Sequence, residues 1–228
     1  MNYVSHVVLL LLGLLLSGAS AAQETIFNVP SGDVLDKGKA YGESDLAYLW
    51  DASAATYTPR IVVGIGHQVE IGMNVNGITT PGPSQATPTP TVKWRAYNKN
   101  GWAFLLGDDL YVPVQNRTYD VGNYVYAEVT KSFQSKTRLT FGAYDCTSHV
   151  FASGNKAGGQ FGIEQPINNR ITLAADWFTG HHSAGYFTPG AAIKLSSKAT
   201  LYAAYEIGNS GASNRNRLLL IELGWNFN

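Results

Sequence analysis

The feature that most constrains the fold is a strict alternation of apolar and polar residues over segments of about ten residues. The last segment shows it most clearly. One face of this segment would carry Leu219, Ile221, Leu223, Trp225 and Phe227, and the other Glu222, Gly224 and Asn226. After residue 22, no run approaches the ~20 consecutive apolar residues that a membrane-spanning helix needs. Because the period of two recurs along the chain, the sequence predicts an all-β protein.

Taking each alternating run as a strand gives about twelve strands. They span residues 39–50, 57–66, 69–78, 91–97, 102–113, 119–131, 136–146, 157–165, 170–180, 185–195, 199–209 and 214–227. Tight turns at residues 67–68, 98–101, 133–135, 167–169 and 196–198 alternate with links that are mostly longer and rich in Gly, Pro, Ser and Thr.

The alternation of tight turns and longer links distinguishes between two all-β architectures. A soluble β-sandwich gives no reason for short turns at one end and long loops at the other. A membrane barrel has short periplasmic turns and longer external loops, and an even strand number returns the chain to its starting side. We therefore expect residues 39–228 to form a transmembrane antiparallel up-and-down β-barrel of about 12 strands in the bacterial outer membrane.

The N-terminal region predicts export. Residues 7–16 form an apolar core of the length of a signal-peptide h-region, and small residues follow it, so residues 1–22 are expected to be a signal peptide. Residues 23–38 lack sustained alternation. They are expected to be a periplasmic N-terminal segment or a plug that enters the lumen, and a periplasmic tail is the favoured alternative.

The amino-acid composition excludes some classes of binding partner and of metal site. The 16 Lys and Arg balance 16 Asp and Glu, which argues against a nucleic-acid partner. The single cysteine excludes an intramolecular disulfide and a multi-thiolate metal site.

Aromatic residues are placed near both ends of the strands, as in the two interfacial girdles of membrane barrels. Trp50, Tyr57, Trp177 and Phe187 fall near loop ends, and Trp102, Trp225 and Phe227 near the other end.

The C-terminal stretch 222–228 (ELGWNFN) resembles the last strand of Gram-negative outer-membrane β-barrel proteins, which typically ends in aromatic residues. Residues 176–180 (DWFTG), 185–190 (GYFTPG) and 205–209 (YEIGN) look like those of small porin-like or transporter-like barrels. The resemblance covers roughly residues 24–228. It implies outer-membrane lipid as the surroundings and the barrel-assembly machinery as a partner during biogenesis, and it brings no catalytic residue.

If the apolar faces meet lipid, the polar faces line the lumen. The lumen-lining residues are then expected to be Glu43, Asp45, Arg60, Glu70, Lys93, Arg95, Asp109, Glu128, Arg138, Glu164, Asp176, Lys194, Glu206 and Glu222. Carboxylates outnumber the cations in this set, so an open lumen would favour cations. The expected function is a porin-like channel for passive diffusion of small solutes or ions. Alternatives are a structural or surface-interaction barrel whose paired charges block the lumen, and a lipid-modifying enzyme.

The enzyme alternative depends on residues 181–183 (HHS), where a serine follows two histidines. Sequence neighbours seldom face one another correctly for nucleophilic catalysis, and no third group is evident to orient an imidazole. We therefore expect no enzymatic activity, no cofactor and no metal. The Pro-rich stretch 80–91 is expected to be an exposed external loop.

Overall fold

A computed structural model describes residues 24–115, 120–147, 150–151, 154–211, 213 and 215–227. The expected signal peptide, residues 1–22, lies outside this range. No helix long and apolar enough to cross a membrane occurs among the described residues.

The described chain is built almost entirely of strands. They are β1 (Ala40–Leu49), β2 (Ala54–Gly66), β3 (Val69–Asn76), β4 (Ile78–Thr80), β5 (Thr87–Lys99), β6 (Trp102–Tyr111), β7 (Gly122–Ser132), β8 (Arg138–Cys146), β9 (Ala157–Pro166), β10 (Ile171–Phe178), β11 (Tyr186–Lys194), β12 (Ala199–Gly208) and β13 (Arg217–Phe227).

The sheet closes on itself. If β4 is left aside, each strand pairs antiparallel with the strands before and after it, and β1 also pairs with β13 from Ala40 opposite Phe227 to Leu49 opposite Leu218. The short β4 continues the line of β3 after Gly77 and pairs with β2. Gly77 has a φ of 78°, which a residue with a side chain rarely adopts. With β3 and β4 counted as one interrupted strand, the described residues form a closed barrel of twelve strands, which confirms the expected fold.

The two ends of the barrel differ in their connections. On one side, β2 and β3 are joined by two residues, His67 and Gln68, with φ values of 54° and 61°, as in a tight hairpin turn. On the other side the connections include residues 112–121, 147–156 and 209–216. The end with the tight turns also holds the start of β1 and the end of β13. It is therefore the periplasmic end.

The stretch 80–91 differs from the expectation, because its second half is a strand. β5 begins at Thr87, and Pro88 and Pro90 pair with Val75 and Met73 of β3. The pairing of β5 with β6 starts only at Thr91. Residues 87–90 therefore pair as a strand with β3 alone, and on the other side the Pro88 carbonyl accepts one hydrogen bond from the Val112 N–H (3.0 Å). Proline is tolerated at such a position because its missing N–H removes no ladder hydrogen bond.

The outer surface carries the apolar residues. Leu46, Ile61, Ile71, Leu106, Phe141, Ile163, Leu173, Ile207 and Leu223 are all exposed there. The aromatic residues of both expected girdles are exposed too, from Trp50 and Trp177 at the external end to Trp102 and Trp225 at the periplasmic end. A soluble protein would not leave a continuous apolar belt in water, whereas lipid covers it in an outer-membrane barrel.

Candidate functional site

The polar faces of the strands converge on the lumen. Most of the expected lumen residues are buried there: Glu43, Asp45, Glu70, Lys93, Glu128, Glu164, Asp176, Glu206 and Glu222. Arg60 and Asp109 line a cavity at the external end. Arg138 and Lys194 line a cavity at the periplasmic end, and Arg95 lies at the periplasmic rim beside Asn98 and Gly101.

The N-terminal segment fills the middle of the lumen. Residues 24–36, which we call the plug, include Ile26, Phe27 and Val29, each exposed by 1% or less. This placement differs from the favoured expectation of a periplasmic tail. The physical reason is the apolar content of the segment, since a tail in water would leave these side chains exposed.

The plug begins as a small loop that donates backbone N–H groups to one carboxylate. An isolated bridge joins Thr25 to Pro30. Asp176 Oδ2 on β10 then accepts three hydrogen bonds, from the backbone N–H of Phe27 (2.9 Å), Asn28 (2.6 Å) and Val29 (2.8 Å). Hydrogen bonds to an ionised acceptor are roughly twice as strong as neutral ones. Asp176 is therefore the main latch of the plug.

Side chains on both partners add further contacts near the latch. The Asn28 amide donates to Glu206 Oε1 (2.8 Å) and to Thr188 Oγ1 (2.9 Å). On the opposite wall, Lys93 Nζ donates to the backbone carbonyl of Glu24 (3.1 Å). These contacts hold the loop to β5, β11 and β12 as well as to β10.

Ion pairs hold the periplasmic half of the plug. Arg138 Nη1 lies 2.8 Å from Asp33 Oδ2, and Arg138 Nε lies 3.5 Å from Glu164 Oε2. Glu70 accepts from the backbone N–H of Leu35 (2.8 Å) and pairs with Lys93 Nζ (2.8 Å). Several lumen charges therefore bind the plug instead of lining an open path.

Inward glycines make room for the plug. A methyl group built on Gly162 would lie 2.2 Å from Ile26 Cδ1, and one on Gly190 would lie 2.7 Å from Phe27 Cζ. On Gly64 it would lie 2.2 Å from the backbone oxygen of Asp36. These positions leave no space for a larger side chain while the plug is in place.

Within the described part of the chain, one cavity lies on the external side of the plug and another on its periplasmic side. The external cavity has a volume of about 480 Å³ and is lined by Glu24 and Asn28 of the plug together with Arg60 and Tyr186 of the wall. The periplasmic cavity has a volume of about 330 Å³ and is lined by Ile26, Phe27 and Asp33 on its plug side. The same short segment therefore borders both cavities.

The lumen is acidic. Among the described residues, the ion pairs formed by Arg60, Lys93 and Arg138 neutralise only some of the carboxylates. The inward carboxylates outside these ion pairs are Glu24, Asp109, Glu128, Asp176, Glu206 and Glu222. In the described residues, the carboxylates that face the lumen therefore outnumber the cations that pair with them.

The loop that contains residues 181–183, on which the enzyme alternative depends, is packed through the side chain of His182. His182 is fully buried, its Nε2 lies 2.6 Å from the Tyr144 hydroxyl, and its Nδ1 accepts from the Ala184 N–H at 3.2 Å. The Tyr144 hydroxyl donates to the Thr179 carbonyl at 2.6 Å. Burial lowers the pKa of His182. The imidazole of His182 is therefore neutral, and its hydrogen bonds hold the external loop 179–185 in place.

Sequence reasoning missed the plug contacts made by Phe27 and Asn28. The available signal was the apolar content of residues 26–29 (IFNV), which a solvated tail would not need. The partners of these residues are about 150 positions away in sequence, as in the 149-residue separation between Phe27 and Asp176. Only the closed barrel brings them together.

The fold and the lipid-facing belt define an outer-membrane β-barrel, and its shape resembles that of small porins. Solved structures of similar shape support this class. The NanC porin matches with a TM-score of 0.61 at 9% identity, covering 82% of this chain and 99% of its own. The KdgM porin, solved in complex with disordered oligogalacturonate, matches with 0.59 at 8% identity, covering 83% and 99%.

A third structure, the COG4313 outer membrane channel from Pseudomonas putida F1, matches with a TM-score of 0.54 at 14% identity, covering 87% of this chain and 100% of its own. At these identities the likeness concerns the fold. No family model matches the sequence, and no curated protein matches it.

Proposed function

We propose that this protein is an outer-membrane channel for small polar solutes or ions, and that the plug closes its lumen at rest. The observation that carries the proposal is the pair of cavities at opposite ends of the barrel, both bordered by residues 24–36. Displacing this segment would join the two cavities through the lumen. The likeness to small outer-membrane channels supports the same function.

The charge of the lumen indicates the class of solute. Carboxylates outside the ion pairs of the described residues, such as Glu128 and Glu206, would repel polyanions and admit cations or neutral molecules. Oligogalacturonate, the acidic saccharide in the KdgM structure, is therefore a poor model for the solute of this chain. Small cations and neutral saccharides are the better candidates.

The proposed mechanism is passive. Movement of the plug out of the lumen replaces its contacts with water, because backbone N–H groups and carboxylates are readily hydrated. Solute then diffuses along the polar wall, and the step needs neither catalysis nor a cofactor. During biogenesis, β13 with its terminal Trp225 and Phe227 is the segment that the assembly machinery would bind.

A specific observation favours a second candidate, a structural barrel with a permanently blocked lumen. Asp176, Lys93 and Arg138 each hold the plug through buried or half-buried polar contacts. Breaking such contacts is costly when the freed groups stay dry. In this alternative the plug is a fixed part of the core.

Planar-bilayer recording distinguishes the two candidates. The exported full chain and a variant lacking residues 24–36 are inserted separately, and heat-modifiable migration on gels verifies that each has a folded barrel. The channel proposal expects rare openings from the full chain and steady conductance from the variant. A folded variant that passes neither current nor, in liposome swelling, a small sugar would establish the blocked barrel instead.

A further inference from the structure

The seam where the first and last strands meet concentrates negative charge. In the pairing of β1 with β13, Asp45 lies directly opposite Glu222. Like charges directly opposite each other on neighbouring strands destabilise a sheet. Glu43 lies two residues before Asp45 on the same face of β1, which adds a third carboxylate.

The three carboxylates form one cluster. Oxygen atoms of Glu43, Asp45 and Glu222 lie within 4.8 Å of one another. The residues are exposed by 5%, 4% and 1%, so little water reaches them. Such proximity in a dry site is stable when a carboxyl group is protonated or when compensating positive charge lies beside the cluster.

The protein supplies only part of that charge. Arg60 on β2 lies with Nε 2.5 Å from Asp45 Oδ2 and 3.9 Å from Glu43 Oε1. The Tyr41 hydroxyl donates to Glu43 Oε2 at 2.5 Å, which satisfies that oxygen but adds no charge. With all three carboxylates ionised, one guanidinium leaves the cluster with two negative charges.

Each carboxylate also has one buried oxygen that lies outside the hydrogen bonds of the described residues. Glu43 Oε1, Asp45 Oδ1 and Glu222 Oε2 are buried and accept no hydrogen bond from any described residue. Buried polar atoms nearly always have a partner, and a bound ion is one explanation where they have none. This observation is independent of the clustering, since clustered carboxylates often use all their oxygens in hydrogen bonds.

We propose that Glu43, Asp45 and Glu222 bind one divalent cation, which bridges β1 and β13 and fastens the barrel seam. Three carboxylate oxygens from a buried site suit a hard cation, and Ca²⁺ fits best because it accepts irregular oxygen geometry completed by water. A divalent ion neutralises the two remaining negative charges. The inference depends on the barrel and its register, and it does not depend on transport.

The test measures metal binding to the full chain in detergent after a chelator has removed bound metal. Equilibrium dialysis with Ca²⁺ alone is expected to give one ion per barrel. The temperature at which heat-modifiable migration is lost should rise with Ca²⁺ and fall with EDTA. Glu222→Gln should weaken Ca²⁺ binding by at least about tenfold, because affinity depends on the number of ligand charges.

Glu128→Gln is the matched control. Glu128 is another buried lumen carboxylate with an unpartnered oxygen, but it bonds to Gln160 and lies outside the cluster. This variant should bind Ca²⁺ like the wild type. Asp45→Asn provides a second cluster variant if Glu222→Gln does not fold, and the wild-type stoichiometry is decisive by itself if neither folds.

Two results would overturn the proposal. One is a metal-free wild-type barrel that binds no Ca²⁺ and whose unfolding is indifferent to Ca²⁺ and EDTA. The other is a bound ion whose affinity is the same in Glu222→Gln, Asp45→Asn and the wild type, which would place the ion elsewhere.

Discussion

Replacing Asp176 by asparagine should loosen the plug without removing it. The carboxylate accepts three backbone N–H groups through one oxygen, at 2.6 to 2.9 Å. Asparagine has nearly the same shape and retains a carbonyl oxygen that can accept in the same place. What is lost is the negative charge.

The magnitude follows from these three bonds. Hydrogen bonds to charged groups contribute about 1.5–3 kcal/mol each, and neutral ones about 0.5–1.5 kcal/mol. The difference is roughly 1 kcal/mol per bond, so the latch should weaken by about 3 kcal/mol when all three bonds are counted. Since 1.4 kcal/mol corresponds to a factor of ten, the plug should leave the latch on the order of 100-fold more often.

Hydrogen exchange measures this change directly. The backbone amides of residues 27–29 exchange only when the plug separates from Asp176, so their exchange in Asp176→Asn should be accelerated on the order of 100-fold. Channel openings in planar bilayers should become more frequent in the same variant. Glu128→Gln serves as the control, because its carboxylate bonds to Gln160 on the barrel wall and not to the plug.

Unchanged exchange of residues 27–29 in a folded Asp176→Asn barrel would refute the latch. Faster exchange without more frequent openings would separate the two ideas, since the plug would then move without opening a path.

Three further outcomes are expected. Changing Glu128 and Glu206 together to glutamine should shift the reversal potential of the opened channel in a salt gradient toward anions; an unchanged potential would show that these carboxylates do not set selectivity. Leu173→Arg, on the lipid face but only three residues into β10, should lower the free energy of unfolding in denaturant titrations by about 2 kcal/mol, whereas Thr172→Arg, beside the periplasmic cavity, should cost much less. Burial lowers the pKa of His182, so the loop 179–185 binds a proton more readily when it is released than when it is packed. The stability of this loop should therefore fall as the pH drops below about 6.5, the ordinary pKa of histidine. Limited proteolysis should show this acid sensitivity in the wild type and not in His182→Asn.

The sequence alone determined the barrel. Alternation with a period of two assigns each strand residue to one of two faces, and this local rule predicts the exposed Leu223 and the buried Glu222 without knowledge of any partner strand. The alternation of short turns and longer loops then predicts an even number of strands with both ends of the sheet on one side. Strand ends were less determined: β5 begins at Thr87, before the expected residue 91, because pairing with β3 overrides the local preference of proline.

Only the tertiary structure decided what occupies the lumen. The plug shows no alternation of apolar and polar residues from which its position could be predicted. Its position follows from contacts such as that of Phe27 with Asp176, which are 149 residues apart in sequence. The carboxylate cluster is equally non-local, since Asp45 and Glu222 become neighbours only when the last strand closes against the first. Alternation predicts which face of the sheet a residue occupies. Which residues lie close together across the lumen depends on closure of the sheet, and the candidate site consists of residues brought together in this way.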